Sequence, residues 1–455
     1  MSDQQDVLFV VLDSVRKDRV SLFGHDRETT PALDALARRA TVFENAYAPA
    51  HWTLPSHASM FSGRYPSEHG ATTGFADRTT RLPAGLETLA EGLSDVGYRT
   101  AGFSNNPWVG RLTGLDRGFD EFVEWDLEIS SEAGAPIHTG DDRRRSRWHT
   151  WIGRAAKQPA FLLKRPFFTA SLVERASRWV ETTATDPAPT FTFLNLMEAH
   201  SPYFPPADAF RALDIPPPSS RLEPRLLNTR LLAYVLGRAD LDPDRRERVL
   251  QYYDAALRYQ DAKLHDLLET LAAVDTFEET LVIVCSDHGK TLGEFDRSAD
   301  PVHYVRDVTT NVPLVVKHPG QREGSVIADP AELGRLPGMI RENAPARTLR
   351  SDDGYALIEE DVPHTGRTET PVTRWRVLTD GEEKYVRNER GEEFLLRGTA
   401  ADERVVAGAD ERLDRVRGRL DGRIDGLRTH SRDDATDTTE IGRRIQSNLE
   451  DLGYL

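Results

Sequence analysis

Two apolar runs of this chain end in side chains able to hold a hard cation. VLFVVLD ends in Asp13, and TLVIVCSDHG carries Asp287 and His288 at its end. Carboxylate oxygens with an imidazole suit Mg²⁺, Mn²⁺, Ca²⁺ or Zn²⁺. Between them lies HWTLPSHASMFSGRYP, His51 to Pro66, a stretch rich in Thr, Ser and His around a proline. A hydroxyl is a poor nucleophile at neutral pH unless a base or a metal lowers its pKa. Each motif also has a plain structural reading. An acid after a strand often caps a helix, and Asp-His-Gly often only turns the chain. Their shared position after buried runs is what singles them out.

The elements that must position these residues are those of an α/β protein. VLFVVLD reads as a buried, parallel-type strand, and TFTFLNLMEAH, TLVIVCSDHG and NVPLVVKHPG as further buried strands, since apolar residues run through them without alternation. TTPALDALARRATVF and VLQYYDAALRYQDAKLHDLLETLAAV have helical spacing. The expectation is a doubly wound, mostly parallel central sheet flanked by helices over residues 1–320. A basic-aromatic insertion is expected at about 127–180. A smaller unit over 321–428 follows, with a small antiparallel sheet around the Asp-Gly and Arg-Gly turns of RWRVLTDGEEKYVRNERGEEFLLR and then a charged helix; 429–455 reads as a polar tail.

Composition narrows the function. The chain has 455 residues, 38% hydrophobic and 29% charged, enough for a sizeable core. Its 74 acids exceed its 58 bases, for a net charge of −16. That argues against nonspecific nucleic-acid binding, and it also fits a high-salt cytoplasm. The single cysteine, Cys285, excludes a disulfide framework and a cysteine-rich zinc site. A polar start, MSDQQD, and the lack of a membrane-length apolar run lead us to expect a cytoplasmic protein. Residues 143–168, RRRSRWHTWIGRAAKQPAFLLKRPFF, contain no acid. They read either as a surface insertion or as a peripheral contact with an acidic membrane or anionic polymer near the cleft.

The chain resembles the sulfatase branch of the alkaline phosphatase superfamily. The segments that carry the resemblance are VVLDSVRKDRVSLFGHDRETTPALDALARRATVFENAYAPAHWTLPSHASMFSGRYPSEHG, LSDVGYRTAGFSNNPW, LDRGFDEF, NLMEAHSPYFPP, VIVCSDHGKTLGEF and NVPLVVKHPG. It implies that Thr53, in Thr53-Leu54-Pro55-Ser56-His57, stands at the nucleophile position of the family's Cys/Ser-x-Pro-x-Arg motif, with His57 in place of its arginine. Threonine cannot be oxidised to the formylglycine of true sulfatases, because its carbinol carbon bears a methyl group. Direct attack by the hydroxyl is the alternative, as in the superfamily's phosphodiesterases and phospho-group transferases.

The resemblance also implies one divalent ion on Asp13, Thr53, Asp287 and His288. Ser14 replaces the family's frequent second acid, and His288 its common asparagine, which points toward Mn²⁺ or Zn²⁺. His200, in EAHSPY, matches a histidine that serves the leaving group. His303, Lys290 and Arg16 are the further candidates for contact with the anion, although Lys290 reads equally as a solvent-facing residue and Arg16 as the partner of an acid. Asn105 and Asn106 read as turn residues that could also line the cleft. The expected function is hydrolysis of a sulfate or phosphate ester, with phosphoesters favoured. The alternatives are phospho-group transfer to a glycan or lipid head group, and a non-catalytic protein that binds an anionic glycan or lipid.

Overall fold

The structure is a computed structural model, and it describes residues 4–72, 80–124, 168–235, 239–294, 302–361, 374–406 and 411–427. Its central sheet has eight strands in the order β10-β2-β9-β7-β1-β6-β4-β5. Numbered in chain order, these are β1 (Val7–Leu12), β2 (Thr41–Phe43), β4 (Arg99–Ser104), β5 (Glu121–Glu124), β6 (Thr190–Leu196), β7 (Leu281–Cys285), β9 (Leu314–Lys317) and β10 (Ser325–Ile327). Only β9 runs against its neighbours. A small sheet joins β3 (Ala46–Tyr47), β8 (Asn311–Val312) and β11 (Ala331–Glu332).

The sheet is covered on both faces. Period-two alternation sends Leu8, Val10 and Leu12 to one side and Val7, Phe9 and Val11 to the other. The first set packs with Leu264, Leu267 and Leu271 of the long helix Pro243–Ala273. The second meets Leu54, Ala58 and Phe61 of the helix Thr53–Ser62. Burial on both faces is why β1 and β7 read as unbroken apolar runs.

Two expected boundaries move. The insertion does not extend to residue 180, because Phe168–Thr183 is a core helix. Leu172, Val173, Ala176, Trp179 and Val180 recur at helical spacing and pack beside the long helix. Residues 143–167, which carry the basic-aromatic composition, lie outside the described residues. The first unit also does not close at residue 320, since β10 lies beyond it and pairs with β2 at the edge of the central sheet.

The expected small sheet is present. Its antiparallel strands follow chain order: β12 (Ala356–Asp361), β13 (Arg374–Thr379), β14 (Glu383–Asn388), β15 (Glu393–Arg397) and β16 (Arg404–Val406). The β13–β14 hairpin turns at Asp380-Gly381, where Gly381 takes a φ of 96°. Ile358, Val377 and Val386 pack on Tyr47, Val302 and Val305. On the opposite face Leu357, Leu378 and Tyr385 meet Leu420 of the helix Glu411–Gly426. The expected polar tail lies outside the described residues. Among the described residues no helix is long and apolar enough to cross a membrane.

A buried charge joins this sheet to the larger unit. Lys384 on β14 places Nζ 2.5 Å from Asp307 and 3.4 Å from Glu403. It also donates to the Val305 carbonyl and the Thr310 hydroxyl, both at 3.1 Å. Lys384→Met should strand Asp307 and Glu403 with less counter-charge and cost about 3 kcal/mol of stability. Urea unfolding measures this, and a loss below about 1 kcal/mol would remove the lysine's role as a lock.

Candidate active site

The carboxyl ends of β1 and β7 set the site. The two strands are parallel neighbours with Val11 opposite Cys285, so Asp13 and Asp287 emerge side by side two residues later. The Asp13 N–H is anchored on the Leu196 carbonyl of β6 at 2.9 Å. Thr53 is the first residue of its helix, after Trp52 in an extended conformation (φ −148°, ψ 167°). Ser56, one turn on, donates to the Asp287 carbonyl at 2.6 Å and fastens the helix to the end of β7. One ligand atom each from Asp13, Asp287 and His288 lies within 4.8 Å of the others. Thr53 Oγ1 is 3.3 Å from His288 Nε2.

Hydrogen bonds orient every member of this group. His288 Nδ1–H donates to the Gly289 carbonyl at 2.7 Å, which leaves the Nε2 lone pair facing the cluster. Asp13 Oδ1 accepts from the Ser14 hydroxyl at 2.9 Å, and Oδ2 from Asn106 at 2.6 Å and Asn195 at 3.3 Å. Asp287 Oδ1 accepts the Ser14 and His288 backbone N–H groups, both at 2.9 Å. Asp287 Oδ2 is buried and accepts no hydrogen bond from the described residues. It stands 3.4 Å from His288 Nε2 and 3.5 Å from His57 Nδ1. The lone pairs of His288 Nε2 and Asp287 Oδ2 therefore face one another beside the Thr53 hydroxyl, a set of ligand atoms suited to a cation.

The electrostatics agree. Burial, followed by the neighbouring Asp13 charge, pushes the Asp287 carboxyl up to about 8. Burial would also raise Asp13, yet His200, His288, His57 and the Asn106 amide outweigh it and hold Asp13 at about 2. His288 is itself lowered to about 4 and His57 is lowered too, in both cases by burial. At pH 7 those two rings are neutral, so the support for Asp13 that persists there includes its three hydrogen bonds. Two buried carboxyls side by side do not both ionise without a counter-charge. A divalent ion fits the residues present, with Asp13, Asp287 and His288 as its holders and Thr53 beside them.

The other candidates divide. His200 follows β6, donates from Nδ1 to the Ser201 carbonyl at 2.7 Å and interacts electrostatically with Asp13. His57 is fully enclosed: its Nδ1 donates to the Thr53 carbonyl at 3.0 Å, and its ring packs between Phe61 and Phe193. It stands behind Asp287 rather than on an open face. Lys290 holds its ammonium 5.6 Å from the Tyr203 ring centre. Arg16 is corrected. Its guanidinium is buried between Asp18 and Glu294, so its charge is met within the protein rather than offered to an anion. His303 opens a short 3-10 turn, His303–Val305, and its side chain lies outside the described residues.

Asn106, which reads from the sequence chiefly as a turn residue, and Asn195, which the sequence does not single out, both hydrogen-bond Asp13. The available signal was position, since both lie at or just after strands whose carboxyl ends share one edge of the sheet. Asn106 Nδ2 also lies 3.5 Å from Thr53 Oγ1. Asn106→Ala should lower kcat or metal affinity about 10–100-fold. Steady-state kinetics with metal titration would show it, and an unchanged enzyme would return Asn106 to a turn role.

A mostly parallel sheet with an acid–histidine cluster and a helix-start hydroxyl at its carboxyl edge is the architecture of the alkaline phosphatase superfamily. Residues 5–333 match the sulfatase family, and the chain belongs to it. It is 27% identical to the ulvan-active sulfatase of Formosa agariphila over 374 residues, 79% of this chain and 66% of that protein. It is 25% identical to the choline-sulfatase of Rhizobium meliloti, over 68% of this chain and 61% of that protein. The chain thus spans just under two-thirds of the length of these relatives. Among solved structures, it is similar to a phosphonate monoester hydrolase from Silicibacter pomeroyi, with a TM-score of 0.68 and 20% identity over 94% of this chain and 96% of that one. The phosphonate monoester hydrolase of Agrobacterium radiobacter gives a TM-score of 0.63 and 17% identity over 93% and 95%. At these identities the structural likeness speaks to the fold.

Proposed function

We propose that the chain hydrolyses anionic esters by attack of the Thr53 hydroxyl, with phosphoesters cleaved faster than sulfate esters. The observation that carries this is the position of Thr53 Oγ1, at a helix start and 3.3 Å from His288 Nε2, beside the converging acceptors of Asp13 and Asp287. The relatives named for ulvan and choline sulfate support an anionic ester on a glycan or a small head group.

Asp13, Asp287 and His288 would hold a divalent ion, which when bound would supply counter-charge and lower the pKa of a nearby hydroxyl. The first turn of the helix directs backbone N–H groups and dipole potential toward the anion. Asn106 holds Asp13 and Thr53 in register. Thr53 Oγ loses its proton to solvent as its bond to phosphorus forms and the P–O bond to the leaving group breaks, and a doubly protonated His200 gives that group its proton. Water then attacks the same phosphorus and releases the threonine. A threonine sulfate lacks the elimination route open to an aldehyde hydrate, which is why phosphorus is favoured.

Rates on p-nitrophenyl phosphate, bis(p-nitrophenyl) phosphate and p-nitrophenyl sulfate, with Mn²⁺, Zn²⁺, Mg²⁺ and Ca²⁺ in turn, test the reading. A phosphate ester should lead. Sustained turnover of the sulfate above both phosphates with every ion would overturn the preference.

A further inference from the structure

Ser14 follows the first cation-binding acid, and its backbone is unusual. It has a φ of 62°, a left-handed conformation that disfavours a residue with a Cβ. Strained backbone of this kind persists where surrounding structure imposes it, often at functional sites. Here the surroundings are explicit. The Ser14 carbonyl accepts the Tyr253 hydroxyl at 2.9 Å, while the Tyr253 oxygen accepts the Arg16 N–H at 2.8 Å. The Val15 N–H donates to Ser286 Oγ at 2.8 Å, and that hydroxyl donates to the His288 carbonyl at 2.8 Å. The turns after β1 and β7 are therefore laced together across the site.

The consequence is a double clamp. The left-handed turn aims the Ser14 N–H at Asp287 Oδ1 and the Ser14 hydroxyl at Asp13 Oδ1, each at 2.9 Å. One fully buried residue thus holds an oxygen of each carboxylate. A glycine would take the same φ without strain but would lack the donor to Asp13. An aspartate there would bring a third carboxylate in place of the donor.

We infer that Ser14 is a positioning residue that aligns Asp13 and Asp287 and restricts the site to one small divalent ion. The inference rests on the cation reading of the site given above. With Oδ1 of Asp287 covered by two N–H groups, Asp287 coordinates through Oδ2 alone. Asp13, with donors on both oxygens, is likewise disfavoured as a bidentate ligand. Ca²⁺ takes six to eight oxygens and often uses bidentate carboxylates. Two single-oxygen carboxylates, an imidazole nitrogen and a hydroxyl instead match the mixed donors of Mn²⁺ or Zn²⁺.

Calorimetric titration of the metal-free full chain with Mn²⁺ and with Ca²⁺ tests this without reference to turnover. The wild type should bind Mn²⁺ at least about tenfold more tightly than Ca²⁺. Ser14→Gly, which keeps the turn and the N–H to Asp287, should weaken Mn²⁺ binding about tenfold or more and change the Mn²⁺ electron paramagnetic resonance line shape. Its melting temperature should stay close to that of the wild type. Ser14→Ala should lose the same affinity and some stability besides, since its Cβ remains strained. If the wild type binds no Mn²⁺, the cation reading falls and the inference with it. If the wild type binds Mn²⁺ and Ser14→Gly binds it within twofold with the same line shape, the cation reading stands and Ser14 has no positioning role. Equal wild-type affinity for Ca²⁺ and Mn²⁺ would overturn the restriction to a small ion.

Discussion

Thr53→Ala is expected to abolish turnover, with a fall of at least about 10⁴-fold in kcat/KM on the best phosphate ester, in the range seen when a covalent nucleophile is removed. The reason is local. Among the described residues, Thr53 is the hydroxyl that hydrogen-bonds His288 Nε2 from a helix start, while Ser56 is committed to the Asp287 carbonyl and Ser14 to Asp13. The substitution removes one oxygen and one methyl group from the helix end, so the melting temperature of the metal-free protein should change little. Thr53→Ser keeps the oxygen and should retain measurable activity. Quenched wild-type reactions should carry a phosphoryl group on Thr53 that mass spectrometry can locate. A Thr53→Ala enzyme within tenfold of the wild type would show that a water or another residue attacks, and the covalent route would be abandoned.

The second large effect concerns Asp287, and it reverses sign with metal. Asp287→Asn keeps the shape of the side chain but removes its charge and replaces an acceptor oxygen with an amide. Turnover should fall to background, because the cluster loses a cation ligand. Stability behaves differently. Folding raises the Asp287 pKa from 3.8 to about 8, so the fold favours the neutral carboxyl. Its contribution to the metal-free protein is complete below about pH 4 and is lost as pH rises through 8. Asparagine never ionises. At pH 8 and above the metal-free variant should therefore melt no lower than the metal-free wild type.

Added Mn²⁺ should invert that order. The wild type gains about 4 kcal/mol at a thousandfold excess over Kd, while the variant gains almost nothing. Metal binding below pH 8 should also release close to one proton from the wild type, so affinity should climb with pH and level off near 8. Thermal melts at several pH values, with and without Mn²⁺, check the scheme. Equal stabilisation of both proteins by Mn²⁺ would place the ion elsewhere.

Much of the fold was legible before any coordinates. β1 and β7 are apolar on both faces because helices cover both, and so their sequences show no alternation. Parallel pairing alone brings the acids that end such strands to the sheet's carboxyl edge, which makes Asp13, Asp287 and His288 legible as site candidates. The small sheet was legible at Asp380-Gly381, because a glycine with positive φ marks a tight hairpin. The role of Thr53 came from resemblance to the family rather than from its local pattern.

What the sequence by itself determined was period and turn chemistry, since these depend on neighbours within a few residues. What only the tertiary structure decided was which donor meets which acceptor. Ser14 reaches Asp287 across 273 positions of chain, and Arg16 reaches Glu294 across 278. Asn106 is brought to Asp13 because β6 lies between β1 and β4. The helix Phe168–Thr183 enters the core because it packs beside the long helix Pro243–Ala273. Pairings of this kind depend on strand order and on how helices cross the sheet, and no short window of sequence encodes either. The same physics explains Arg16: of its two readings, contact with an anion or pairing with an acid, the fold brings about the second by placing Asp18 and Glu294 beside it.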